Sequence, residues 1–119
     1  MDTGKLNDYT YYEGYEGEPE FILSAGDESI HIWDGYINDI FGTPVMDGTG
    51  WKGLTRDFNE VTGPFDADEP CLIDVKEYLD DAIKYRDQTM DYEETPNVLE
   101  ALINWLNEHA DVEVFASVD

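Results

Sequence analysis

Cys71, the histidines at 31 and 109 and the serines at 24, 29 and 117 are the side chains that could carry nucleophilic or proton-transfer chemistry, and their spacing arms none of them. A reactive thiolate needs a depressed pKa and a neighbouring base, whereas Cys71 follows Pro70 in an acidic stretch that would raise it. No serine lies in a Gly-x-Ser-x-Gly elbow, and no glycine-rich phosphate loop ends in Lys and Ser or Thr. A single cysteine and two histidines cannot assemble a Cys/His zinc set. Asp66-Ala67-Asp68-Glu69 looks like a fragment of a calcium loop, but Pro70-Cys71 interrupts the pattern of about 12 residues that such a loop requires. Paired carboxylates can serve as acid and base, yet 29 of them spread along the chain nominate no pair. The expectation is a protein without catalytic residues, cofactor or metal.

What the carboxylates do collectively is more informative. Against 29 Asp and Glu stand six Lys and Arg, giving a formal net charge of -23 over 119 residues. Self-repulsion of that size costs stability and specifies no fold, so it points to what the surface meets. Direct nucleic-acid binding is disfavoured, because phosphate affinity depends on cations and only Lys5, Lys52, Arg56, Lys76, Lys84 and Arg86 exist. A cationic protein groove of the kind that grips DNA or RNA is the complementary partner, and long-range attraction would speed the encounter.

The densest acidic ground gives the expected partner-binding residues: Asp66, Asp68 and Glu69; then Glu77, Asp80 and Asp81; then Asp87, Asp91, Glu93 and Glu94, with Tyr92 among them. Tyr85, Tyr92 and the Tyr11, Tyr12, Tyr15 cluster beside Glu13 and Glu16 are candidate aromatic anchors, the residue type that carries interface energy. Tyr also commonly covers the edge of a core, and a charged helix face is usually only solvated.

The elements that must position these groups read as one α+β domain over 1–119, with 1–20 a loosely held arm containing a short edge strand near Tyr9 to Tyr12. With 41% hydrophobic and 13% aromatic residues the chain has the means to build a core, unlike an acidic disordered tail. Phe21 to Leu23 and Ile30 to Ile32 flank a turn-rich stretch, the pattern of a hairpin, and alternation turns Ser29 and His31 away from the core toward solvent or a rim. A short helix is expected over about 35–41, opened by Asp34 and closed by Gly42 and Pro44. Residues 43–70 read as loops with one or two strands around Leu54, Phe58 and Val61, with Trp51 more often core than contact in such a setting. Asp74 and Glu77 stand in capping-box relation at the head of a helix over about 74–86, and Thr95-Pro96 opens another over about 96–109, with His109 placed to cap it. Val112 to Val118 completes a mostly antiparallel sheet packed against the two main helices. No apolar run of membrane-spanning length and no leader pattern is visible, and a lone cysteine fits a reduced, cytoplasmic setting.

At Gly48-Thr49-Gly50-Trp51-Lys52-Gly53-Leu54-Thr55-Arg56-Asp57-Phe58-Asn59-Glu60, followed by Glu77-Tyr78-Leu79 and Tyr92-Glu93-Glu94-Thr95, the chain resembles small bacterial immunity proteins of contact-dependent inhibition and related polymorphic toxin systems. The resemblance spans about residues 34–106. It implies a cytosolic antidote that binds one cognate basic toxin domain, often a nuclease, and it defines no site residues. The same charge also fits a phage or plasmid DNA mimic directed at restriction or CRISPR machinery, a small carboxylate enzyme, or halophilic adaptation.

Overall fold

In a computed structural model, residues 7–42, 51–88 and 90–119 are described. The opening of the arm with Lys5, the segment with Pro44, Gly48 and Gly50, and Gly48-Thr49-Gly50 of the immunity-protein resemblance lie outside them. Five strands form one sheet: β1 (Asn7–Tyr11), β2 (Glu20–Ala25), β3 (Glu28–Trp33), β4 (Cys71–Leu72) and β5 (Phe115–Val118), in the order β1-β3-β2-β5-β4. All neighbours are antiparallel except β1 with β3, which is parallel. Among the described residues the helices are α1 (Asp34–Phe41), α2 (Gly53–Glu60), α3 (Val75–Ile83) and α4 (Thr95–Glu108), with a short 3-10 turn at Gly63–Phe65. The expected α+β domain, with its mostly antiparallel sheet against two main helices and one short one, is what forms.

Alternation along β2 and β3 sets the layers. Phe21, Leu23, Ile30 and Ile32 are buried on one face with Ala116, and there they meet Ile37, Phe41, Leu99, Leu102 and Leu106 from α1 and α4. Each such side chain removed from water contributes roughly 1.5–3 kcal/mol, so the hairpin face and the α4 stripe carry much of the stability. The hairpin turns at Gly26-Asp27, where Gly26 takes a left-handed backbone (φ +59°) at the first central position, as a type II′ turn demands. No helix among the described residues is long and apolar enough to cross a membrane.

Both rims of the sheet are blunted. β4 is two residues long, and on β1 the register slips between Asp8 and Tyr11 while the Asp8 carboxylate accepts the Thr10 N–H at 2.9 Å. Short strands and self-capped amides remove the template that an open edge offers.

Four local expectations are corrected. Residues 53–60 are helical rather than strand or loop: the buried face of α2 carries Leu54, Thr55 and Asp57, so a polar network replaces the apolar stripe that announces a helix. His31 is only 8% exposed, because Tyr9 of the added strand stacks on its ring at 4.1 Å. Asp34 makes no cap hydrogen bond and lies inside the first turn of α1, its carboxyl raised by burial. Thr95 is likewise inside α4 and donates its hydroxyl to Asp39 instead of capping. By contrast Asp74 does cap α3, accepting the Glu77 N–H at 3.0 Å, and His109 closes α4 through Nδ1 and the Trp105 carbonyl at 2.7 Å.

Candidate functional site: an aromatic platform between two acidic loops

The strand-to-helix junction at Trp33-Asp34-Gly35-Tyr36 presents an indole and a phenol side by side, their centroids 5.2 Å apart and their planes at 85°. Two loops close on this pair. From the 12–18 turn, Tyr15 stacks flat on Trp33 at 3.9 Å and 5°, and its hydroxyl meets that of Tyr36 at 3.4 Å. From the 90–94 segment, Tyr92 sets its ring edgewise to Trp33 at 5.4 Å and to Tyr36 at 6.0 Å. Offset and edge-to-face pairs of this kind each add about 0.5–1.5 kcal/mol beyond area burial. Tyr36 is buried, whereas Tyr92 is 46% exposed and Tyr15 and Trp33 are half-buried, so the cluster is rooted in the core and open at its top.

The loops that supply these rings are acidic. Glu13, Glu16 and Glu18 flank Tyr15, and Glu18 accepts the Trp33 indole N–H at 3.3 Å; Asp91, Glu93 and Glu94 flank Tyr92. The hydrogen bond to Tyr15, then burial, with smaller contributions from the charges of Tyr15 and Glu94, push the Tyr36 pKa up to about 12. Burial, then the charges of Asp8 and Glu94, raise that of Tyr11 in the same way.

Asp39 fixes the second loop. Its carboxylate accepts the N–H groups of Asp91 and Tyr92, both at 2.9 Å, and the hydroxyl of Thr95, tying the head of α4 to α1. Partial burial would raise its pKa, but the bonds from Thr95, Asp91 and Tyr92 outweigh that and hold it below the ordinary value. A lowered folded-state pKa contributes stability above the unfolded value of about 3.9, and the contribution disappears as pH falls through the folded value. Asp39→Asn is therefore expected to cost about 0.5–1 kcal/mol at pH 7, solvent screening having reduced the worth of these exposed bonds, with the gap to the parent closing only well below pH 4. Urea midpoints measured across acid pH check it; a pH-independent gap would contradict it.

The expected contact residues separate into three places. Asp91, Tyr92, Glu93 and Glu94 join the platform. Asp66, Asp68 and Glu69 are exposed on the turn leading into β4, at the opposite rim of the sheet, and Asp87 is exposed after α3. On α3 the reading fails in part. Asp81 is 4% exposed and accepts the Thr55 N–H at 2.8 Å and its hydroxyl at 2.6 Å, so it belongs to the α2–α3 packing and is no surface contact. Glu77 is half-buried and accepts the Gly53 N–H at 3.0 Å, with Arg56 at 3.5 Å. Asp80 is exposed but lies 3.6 Å from Lys76. Lys52, Lys76 and Lys84 line one groove with Asp74, Glu77, Asp80 and Asp81, so this acidic ground is largely neutralised. Arg86 pairs with Glu100 through two bonds of 2.9 and 3.0 Å. The five described cations thus cluster about α2 and α3 or pair with α4, and none belongs to the two loops that carry Tyr15 and Tyr92.

Tyr85 is corrected as well: it is 1% exposed and its hydroxyl lies 2.8 Å from that of Thr55. Trp51 is half-buried. Sequence reading passed over Trp33 and Tyr36 as platform residues; their signal was a pair of aromatics bracketing a glycine where a strand becomes a helix.

Two other arrangements have catalytic outlines. Ser29 Oγ lies 3.0 Å from His31 Nε2, and His31 Nδ1 lies 2.6 Å from Glu20, the relations of a serine triad. Ser29 is only 8% exposed, however, and sits on a strand paired on both sides, with Ser24 and Asn7, which commits the amides an oxyanion hole would require. These bonds satisfy polar groups between Tyr9 and the sheet. A cleft of about 410 Å³ is lined by Arg56, Asp57, Thr62, Cys71 and Tyr78. There Asp57 accepts from Arg56 at 3.1 and 3.2 Å, from Thr62 at 2.8 Å and from the Tyr78 hydroxyl, and burial, then the hydrogen bond to Asp57 and its charge, drive the Tyr78 pKa far upward. The Cys71 thiol donates to the Glu69 carbonyl at 3.6 Å. The polar groups of the cleft are spent on one another. Among the described residues no cluster of His, Cys, Asp and Glu could hold a metal ion.

No protein-family model matches this chain, and neither a curated protein nor a solved structure shows significant similarity to it.

Proposed function

We propose that this protein is a non-enzymatic immunity-type inhibitor that neutralises a basic toxin domain of the nuclease class in the cytoplasm. The observation that carries the reading is the segregation of charge: described cations gather around α2 and α3, while the aromatic platform is flanked by Glu13, Glu16, Glu18, Asp91, Glu93 and Glu94. Aromatic anchors inside an acidic rim suit a cationic groove, the rings supplying binding energy and the carboxylates supplying steering. The resemblance to immunity proteins in the 48–60, 77–79 and 92–95 segments agrees with that use.

The test is to take candidate basic toxin domains, beginning with any encoded in the reading frames that neighbour this gene, co-express each with this protein and follow binding by stopped flow. Cells carrying both proteins are expected to survive, and association should slow by one to two orders of magnitude from low to about 0.5 M salt with dissociation changing little. Reversing Glu16, Glu18, Glu93 and Glu94 to Lys should slow association at least about tenfold more than reversing Asp66, Asp68 and Glu69. Loss of protection or a salt-independent association rate counts against the reading, and equal effects at the two rims reject the platform as the contact face.

A further inference from the structure

Resting on that reading, we infer that the platform is a seat for an arginine side chain of the partner, preferred over lysine. Carboxylates alone do not distinguish the two cations; ring faces do. Trp33 has one face covered by Tyr15, Tyr36 is buried, and Tyr92, at 46% exposure, is the most accessible ring of the four. A planar guanidinium can stack on such a face and still present its N–H fork to a carboxylate at the rim, whereas an ammonium gains only the charge. Glu18, bonded to the Trp33 indole, is the carboxylate fixed beside the rings, and Glu93 and Glu94 follow Tyr92 directly on the second loop. The bonds from Asp39 to the Tyr92 loop hold one wall in place before any partner arrives, which lowers the entropic cost of binding.

Gly35 makes the platform separable from the charge. The Trp33 ring lies directly over it, so close that a Cβ there would come within 2.3–2.5 Å of the far edge of the indole. Gly35→Ala must swing that ring aside while leaving all carboxylates in the sequence. The alanine sits within α1, where it favours the helix, so the variant is expected to fold.

The probes are hexa-arginine and hexa-lysine peptides titrated at physiological salt into the full chain, read by isothermal calorimetry and by the Trp33 indole N–H resonance. Hexa-arginine is expected to bind about tenfold more tightly than hexa-lysine and to shift the Trp33 signal. Gly35→Ala and Tyr92→Ala should each bring arginine down to the lysine level with lysine binding unchanged. Equal binding of the two peptides by the parent, or an arginine preference that survives in both variants, overturns the inference. The folded state of each variant is read from the same spectra, and Tyr92→Ala, at an exposed position, supplies the answer if Gly35→Ala unfolds. Toxin protection that persists without an arginine preference rejects the seat alone; arginine preference without protection rejects the inhibitor reading alone.

Discussion

Asp57→Ala is expected to cost about 3–4 kcal/mol, a large share of the 5–15 kcal/mol that holds a domain of this size folded. Asp57 is 5% exposed and serves as the common acceptor for Arg56, Thr62 and Tyr78. Removing it strands the buried Tyr78 hydroxyl and leaves the Arg56 charge without its nearest counter-ion, while the exposed Thr62 hydroxyl can turn to water. The arginine side chain is 41% exposed and can rehydrate, which keeps the loss below that of a fully buried pair. Tyr78→Phe removes one bond and keeps the ring, so about 1–2 kcal/mol is expected. The double variant should lose less than the sum, because Tyr78 has no partner to miss once Asp57 is gone. Urea unfolding of the three variants measures this; a loss below 1 kcal/mol for Asp57→Ala would show that water replaces the carboxylate.

Gly53→Ala should cost about 3 kcal/mol, for a different reason. Gly53 opens α2 with φ +59°, and a Cβ there would lie 2.9 Å from the Glu77 carbonyl oxygen and 3.0 Å from the Asp81 Cβ. The left-handed backbone alone costs an L-residue roughly 1–2 kcal/mol. The contact with helix backbone adds to it, since α3 cannot move without breaking the Thr55–Asp81 and Gly53–Glu77 bonds. Gly26 is the internal control: its φ is also +59°, but nothing lies within 4 Å of a built Cβ, so Gly26→Ala should show the backbone cost by itself. Comparable thermal shifts for the two variants would refute the close approach as the cause.

Elements whose residues face a purely apolar interior were legible in the sequence. Val98, Leu99, Leu102, Ile103 and Leu106 announce α4, and Phe21 to Leu23 against Ile30 to Ile32 announce the hairpin. Periodicity failed where the interior is polar. The helix α2 buries Thr55 and Asp57 against Asp81 and Tyr78, so its inward face resembled a loop, and Asp81 resembled a solvated charge. Alternation failed at His31, because the rule takes the second face of a hairpin to be open and β1 brings Tyr9 across it. The platform was half visible: Tyr92 with Glu93 and Glu94, and Tyr15 with Glu13 and Glu16, stood out as acidic aromatic clusters. Their convergence on Trp33 and Tyr36 depends on contacts such as Asp39 with Tyr92, 53 residues apart, which no local pattern encodes.

Strand recruitment, by which sheets seed fibrils and exchange segments between copies, needs a run of unoccupied amides and carbonyls in register. With Asp8 folded back onto Thr10 at one border and only Cys71–Leu72 at the other, neither described border supplies such a seam. Within the described residues, a partner is therefore met by side chains rather than by an added strand, and neighbouring copies find little there to polymerise along.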